Sequence, residues 1–226
     1  MRNVYQEQLA QLVARMLGLS RMVADAMEQA TTALVEADVA LADDIVADGV
    51  RLDRARAEVE SQAYAILALQ SPVATDLRVV LAAVHAVEDL DRMGRLAVHV
   101  AEAVQRRYPE PVVPHALVPR FVEMGRIAVW LAVMAGEVME KRDLALARSL
   151  ITVDDDLDDL HRTLFSVLDY QEWSYSTATA VDVALLSRYY ERFADHAVSL
   201  AEQTEFVVTG RPKWTEAPIP MVAQSA

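Results

Sequence analysis

Residues Asp38–Asp53 read DVALADDIVADGVRLD, and residues Asp143–Asp158 read DLALARSLITVDDDLD. Six of these sixteen positions are identical at an offset of 105. Further along, Asp91–Glu102 reads DRMGRLAVHVAE and Glu191–Glu202 reads ERFADHAVSLAE, now at an offset of 100. The shared residues include charged ones at positions that face a core, so the chain reads as an internal duplication rather than a chance likeness of amphipathic helices. The drop in offset from 105 to 100 places a five-residue deletion in the loop before the last helix.

Outward from these segments, apolar residues recur at the 3.6-residue period. They predict six helices, over 4–36, 39–69, 72–107, 117–141, 144–169 and 178–208. Pro72 suits the first turn of the third helix, after Ser71 as N-cap. Tyr108–Pro119 holds four Pro in twelve residues and reads as the linker. The expected fold class is therefore all-α: two tandem three-helix bundles, six long helices in all. The repeats span 1–108 and 120–210 around a Pro-rich linker at 109–119, with a tail over 211–226 expected to be flexible. Helices of about 30 residues run about 45 Å, which favours elongated bundles over a globin-like ball.

Composition narrows the function. Acidic residues outnumber basic ones by 34 to 21, for a formal charge of −13, and no local basic patch stands out. Nucleic acid and anionic lipid are disfavoured partners; cations and basic protein surfaces are favoured. There is no Cys, so any metal must be held by carboxylate, His or water. The longest apolar run, Ile127 to Gly136, is far short of a membrane span, and the N-terminus lacks a signal-peptide pattern. A cytoplasmic protein is expected. No Gly-rich phosphate loop, GxSxG elbow, HExxH motif or EF-hand loop is present.

The informative residues are acids where apolar side chains belong. On the third helix, Asp91 falls in the stripe of Val80, Val84, Val87, Gly94 and Val98, with Arg95 at its edge. On the sixth, Glu191 falls among Ala180, Ala184, Ala194 and Val198, with Asp195 at the edge. On the fifth, Asp154 and His161 lie along a leucine stripe, with Asp158 at its margin. Carboxylates in an apolar seam cost several kcal/mol each unless a counter-charge is found, on the order given for buried ions. Pairs spaced by four present oxygens one turn apart, so Asp154, Asp158, Glu191 and Asp195 could share a hard cation, with His161 as an optional nitrogen ligand. The competing readings are a solvated acidic groove, or pairing with Arg188 and Arg192.

The first half departs from this pattern. Gly49 stands for Asp154, Arg56 for His161 and Arg95 for Asp195, leaving Asp48, Asp53, Asp91 and Arg95 as a degenerate site. Guanidinium groups there take the place of a cation, and Asp91 pairs with Arg95. His85, His99 and His115 read as packing or surface histidines. Trp130 fits a core position, while Trp173 and Trp214 read as contact residues near helix ends.

The strings PVATDLRVVLAAVHAVEDLDRMGRLAVHVAE and YYERFADHAVSLAE, in a duplicated six-helix chain, resemble the PhoU family of phosphate-signalling proteins. The likeness runs from about residue 5 to Gly210. It implies an acidic E(D)xxxD motif in each half: Glu191 and Asp195 match one intact copy, and Asp154 and Asp158 match its partner. Asp91-x-x-x-Arg95 departs from the motif and Gly49 interrupts its partner. The resemblance further implies mono- or multinuclear metal, iron or zinc among others, and a cytoplasmic, often dimeric regulator. Its expected partners are the ATPase of a phosphate ABC transporter and a sensor histidine kinase, the only route to the membrane. The expected outcome is repression of the phosphate-starvation response when phosphate is plentiful, without enzymatic activity.

Two readings compete with this one. The first is a carboxylate-bridged di-iron oxidase or iron store, suggested by Asp158-x-x-His161 with Tyr189 and Tyr190 nearby. The second is a helical scaffold without metal.

Overall fold

The computed structural model describes residues 2–168 and 173–211; the expected flexible tail, with Trp214, falls outside them apart from Arg211. Six long α-helices carry the fold: α1 (Arg2–Glu36), α2 (Val39–Gln70), α3 (Ala74–Arg107), α4 (Val118–Lys141), α5 (Leu144–Leu168) and α6 (Thr177–Thr209). A single 3-10 turn, His115–Leu117, precedes α4. No strand occurs among the described residues.

The duplication is visible in the local chemistry. Asp38 caps α2 by accepting from the amides of Ala40 and Leu41, and Asp143 caps α5 by accepting from those of Ala145 and Leu146. Each cap satisfies amide donors that a helix start leaves orphaned. The residue before each cap, Ala37 or Arg142, sits in the left-handed region at φ 54, so both corners turn the same way. Arg15 on Glu58 and Arg120 on Thr163 are the same contact at the 105 offset.

One sequence expectation is corrected. Ser71 does not cap α3: it ends α2 in the left-handed conformation, and Pro72 lies in the connection, with Val73 as the extended residue before the helix. A residue before proline is biased away from the helical region, and this one turns the chain instead of starting a helix. The predicted deletion before α6 falls where residues 169–172 lie outside the described residues.

The halves do not stand apart as beads. α1 packs on α4 and α3 on α6, forming a central four-helix layer, with α2 outside α1 and α3 and α5 outside α4 and α6. One continuous core runs through both halves. The α1–α4 crossing is nearly two-fold symmetric. Gly125 faces Thr31, and Gly136 faces Ser20, each pair being the other's equivalent under the repeat. The contact is closest at Gly125, where an added Cβ would lie 2.5 Å from the Thr31 side chain. Thr31 Oγ1 is also 2.9 Å from the hydroxyl of Tyr190, a ring fully buried in the core. The α3–α6 crossing has the same symmetry with different chemistry. His99 lies against Tyr189 at a 5.3 Å ring separation, and at the equivalent positions Ser199 donates to Asp89.

Candidate metal centre between the fifth and sixth helices

α5 and α6 meet along a seam whose core contacts are Leu150, Leu157 and Leu164 on one side and Ala194 and Ala197 on the other, all fully buried. The helical period that buries these residues also turns Asp154, Asp158 and His161 of α5 toward Glu191 and Asp195 of α6. Glu191 is buried, Asp154, Asp158 and His161 are half-buried, and Asp195 is at the exposed edge.

The four acids repel one another. Burial, reinforced first by Asp195 and then by Asp158, Asp155 and Glu191, pushes the Asp154 carboxyl up to about 7 from its ordinary 3.8. Glu191 is raised too, by burial and then by Asp195, even though Arg188 bonds its Oε1 and pulls the other way. Oδ1 of Asp154 and Oε2 of Glu191 are buried without any hydrogen-bond partner. Arg192, a candidate counter-ion on sequence grounds, is exposed and pairs with none of the four. One guanidinium against four carboxylates leaves the seam short of positive charge.

Hard-cation chemistry suits this donor set, and the two orphaned oxygens are the ones it would satisfy. In this conformation, however, no three His, Asp or Glu side chains among the described residues converge at metal-binding distances. A shared ion therefore requires side-chain rotation. His161 is less free than its spacing suggests: its Nδ1 is 2.5 Å from Oγ of Ser187, which is fully buried, and its ring stacks edge-on against Phe165. Burial, and then Arg188, lowers the His161 pKa, which keeps the ring neutral.

In the first half the same seam carries two arginines, although Arg56 Nε is buried without a hydrogen-bond partner. Arg95 grips Asp91 with two bonds, 3.0 and 3.3 Å long, and approaches Asp53 at 3.7 Å. Arg56 reaches Asp91 at 3.7 Å and Glu60 at 3.9 Å. Two arginines thus meet three carboxylates, those of Asp53, Asp91 and Glu60. Gly49, where α5 has Asp154, leaves a cleft of about 280 Å³ over this network. Asp48 is not part of it: it pairs with exposed Arg51 and lines a separate groove against α1. The sequence grouped Asp48 with Asp53, but five positions along a helix carry it about 140° around the axis.

Sequence reasoning missed two inter-helix clusters. Asp89 of α3 accepts from His196 Nδ1 and from Ser199 of α6, both at 2.9 Å, tying the halves together. The Ser187 hydroxyl under His161 was also invisible; a serine in the buried stripe of α6 was its one signal.

Residues 16–104 and 121–204 each match the PhoU domain, so the two matched segments correspond to the two halves. The chain belongs to the PhoU family. It is 46% identical over 210 residues to the phosphate-specific transport system accessory protein PhoU homolog 2 of Mycobacterium tuberculosis, covering 93% of this chain and 99% of that protein. It is 46% identical to PhoU homolog 1 of Mycobacterium leprae, covering 93% and 95% of the two chains. The crystal structure of PhoU from Pseudomonas aeruginosa superposes with a TM-score of 0.82 at 24% identity, over 93% of this chain and all of the other. That likeness carries the fold alone. Against the acidic pattern expected from the resemblance, the second half has both acidic pairs, and the first half keeps Asp53 and Asp91 with Gly49 and Arg95 in the other two places.

Proposed function

We propose that this PhoU-family chain is a non-enzymatic cytoplasmic regulator of phosphate uptake. It acts as an adaptor between a phosphate ABC transporter ATPase and a sensor histidine kinase and represses the starvation response when phosphate is plentiful. The observation that carries the reading is full-length similarity to proteins named as phosphate-transport accessories. Among the described residues no helix is long and apolar enough to cross a membrane. A second chain, forming a homodimer, belongs to the same reading.

The cation side of the proposal rests on the second half. Asp154, Asp158, Glu191 and Asp195 would hold iron, zinc or another hard or borderline ion, and the ion would supply the missing positive charge. The first half, with Arg56 and Arg95 on its seam, would hold none. The di-iron oxidase reading lacks support: the likeness is to accessory proteins, and the hydroxyl of Tyr190 is committed to Thr31 away from the seam.

The test is deletion of the gene together with any paralogue. Phosphate-responsive genes should then stay expressed in phosphate-rich medium, and re-expression of this chain should restore repression. Unchanged repression after deletion would overturn the regulator reading. Pull-down at high and low phosphate, with metal analysis on the same material, identifies partners and ion.

A further inference from the structure

The outer groove between the first two helices of each half exists twice, and the two copies differ. In the first half it lies between α1 and α2, measures about 130 Å³, and is lined by Asp25, Gln29 and the Asp48–Arg51 ion pair around Met22. In the second half it lies between α4 and α5, measures about 380 Å³, and is floored by Trp130 with Ile127, Val153 and Leu160. At the 105 offset Trp130 stands for Asp25, Val153 for Asp48 and Asp156 for Arg51. Ala26, Ile45 and Leu52 also line the first-half groove, so the contrast lies at these three positions, where two aspartates give way to tryptophan and valine and an arginine to an aspartate. Trp130 is not in the core, as its sequence position suggested, but half-buried on the groove floor. Val122 and Val133 extend the exposed apolar surface along α4.

We propose that the α4–α5 groove docks a basic amphipathic helix of a partner protein. A furrow between two packed helices accepts a third by ridge-into-groove packing, and a partly exposed tryptophan among aliphatic side chains is the kind of residue that anchors protein interfaces. The rim sets the sign of the partner. Asp156, which lines the groove, has no ion-pair partner among the described residues, while Arg126 beside it and Arg162 further along α5 are already held by Glu123 and Asp159. A lysine or arginine flanking an apolar stripe therefore meets an unopposed carboxylate. A second copy of this chain, at −13, and an anionic membrane are both repelled by the same rim. The proposal deepens the adaptor reading and rests on it, because an adaptor needs such a docking face.

The test uses the full chain with Trp173→Phe and Trp214→Phe, so that Trp130 alone fluoresces. The probe is a synthetic Leu/Lys peptide of about five helical turns with helical periodicity. Its controls are a scrambled Leu/Lys peptide and a Leu/Glu peptide of the same pattern. At physiological salt the patterned peptide should shift Trp130 emission to shorter wavelength, saturably. Val153→Asp with Asp156→Arg, which copies the first half, should weaken binding at least tenfold. Asp156→Lys, an exposed change that cannot disturb the core, should weaken it several-fold by itself. Equal binding by these variants, or by either control peptide, overturns the proposal. So does a Trp130 shift on phosphatidylglycerol vesicles, on raising protein concentration, or on removing residues 212–226. These would give the groove to lipid, to a second copy or to the chain's own end. Normal peptide binding with an unaltered deletion phenotype faults the adaptor reading and leaves the groove intact.

Discussion

The two halves of this PhoU-family chain solve one electrostatic problem in opposite ways. Both place carboxylates on the seam between their second and third helices. The first half answers them with Arg56 and Arg95, in covalent sequence and at fixed distance. The second half has only Arg188 on Glu191 and leaves buried oxygens of Asp154 and Glu191 unpartnered. Burying an ion without a counter-charge is expensive. That deficit in one copy, where the other carries two arginines, is what the proposed cation would answer. The outer grooves differ too, with Asp25 and Asp48 in one half standing where Trp130 and Val153 stand in the other.

The sharpest test of the contrast is cation-dependent stability. Binding to the native state alone stabilises by about 2.7 kcal/mol at a hundred times the dissociation constant. Ferrous, manganous or zinc ion at pH 8 should therefore raise the melting temperature of the intact chain by several degrees. Asp154→Asn with Glu191→Gln should abolish the rise, and Asp53→Asn with Arg95→Gln should leave it. An equal rise in both variants would move the ion elsewhere. A fragment of the first half is a poor control, because α1 and α3 would expose the faces they bury against α4 and α6.

The α1–α4 crossing offers a second comparison, between its two near-symmetric glycines. A methyl at Gly125 would meet Thr31 at 2.5 Å, whereas one at Gly136 would meet only the Ser20 hydroxyl at 3.3 Å. Thr31 is β-branched and held by the Met27 carbonyl and Tyr190, so it cannot swing aside. Overpacking of this kind costs about 1–3 kcal/mol, against less than about 1 regained from the helix propensity of Ala. Gly125→Ala should lose about 2 kcal/mol in urea denaturation, and Gly136→Ala should be close to neutral. Similar losses at both positions would mean the crossing is not tightest at Gly125.

Much of this architecture was legible because helical period, caps and duplication are local signals. Asp38 and Asp143, at equivalent positions, both turned out to be caps. The inward direction of Glu191 followed from its 3.6-residue phase alone. What was not legible depends on tertiary neighbours. Trp130 and a core leucine look alike on a helical wheel until the adjacent helix is known to be absent. Asp89 could not be joined to His196 without the crossing of α3 and α6, and Ser71 reads as an N-cap until the chain is seen to turn left-handed there.

Titration tests the second-half seam next. With a chelator present, the Asp154 carboxyl is held at about 7 in the folded chain and near its ordinary 3.8 when unfolded. Because the folded value is the higher, its contribution to stability is complete below about pH 4 and is lost as pH rises through 7. Discounting for the exposed half of the side chain, the loss is about 1–2 kcal/mol. Asp154→Asn should thus stabilise the chain by that amount at pH 8 and hardly below about pH 4, measured by urea midpoints.

The smallest effects come from exchanging the two solutions. Arg95 and Asp195 are equivalent edge positions of opposite sign. Arg95→Asp strips Asp91 of its bidentate partner and sets three aspartates together, costing about 1 kcal/mol by the usual worth of charge pairs near a surface. Asp195→Arg gives Glu191 and Asp158 a guanidinium and should gain about 0.5 kcal/mol. Opposite signs from mirror-image substitutions would mark the seam charge, rather than helix propensity, as the cause. The constructive version is harder to explain away. At Gly49 an added Cβ would meet only Val98 at 3.8 Å, so an aspartate fits the cleft without displacing the core. Gly49→Asp, Arg56→His and Arg95→Asp together rebuild the second-half ligand set on the first-half backbone. The chain so altered should bind twice as many ions per molecule, counted by equilibrium dialysis. If the number does not change, carboxylate count is not what distinguishes the two seams, and backbone spacing between the paired helices must be.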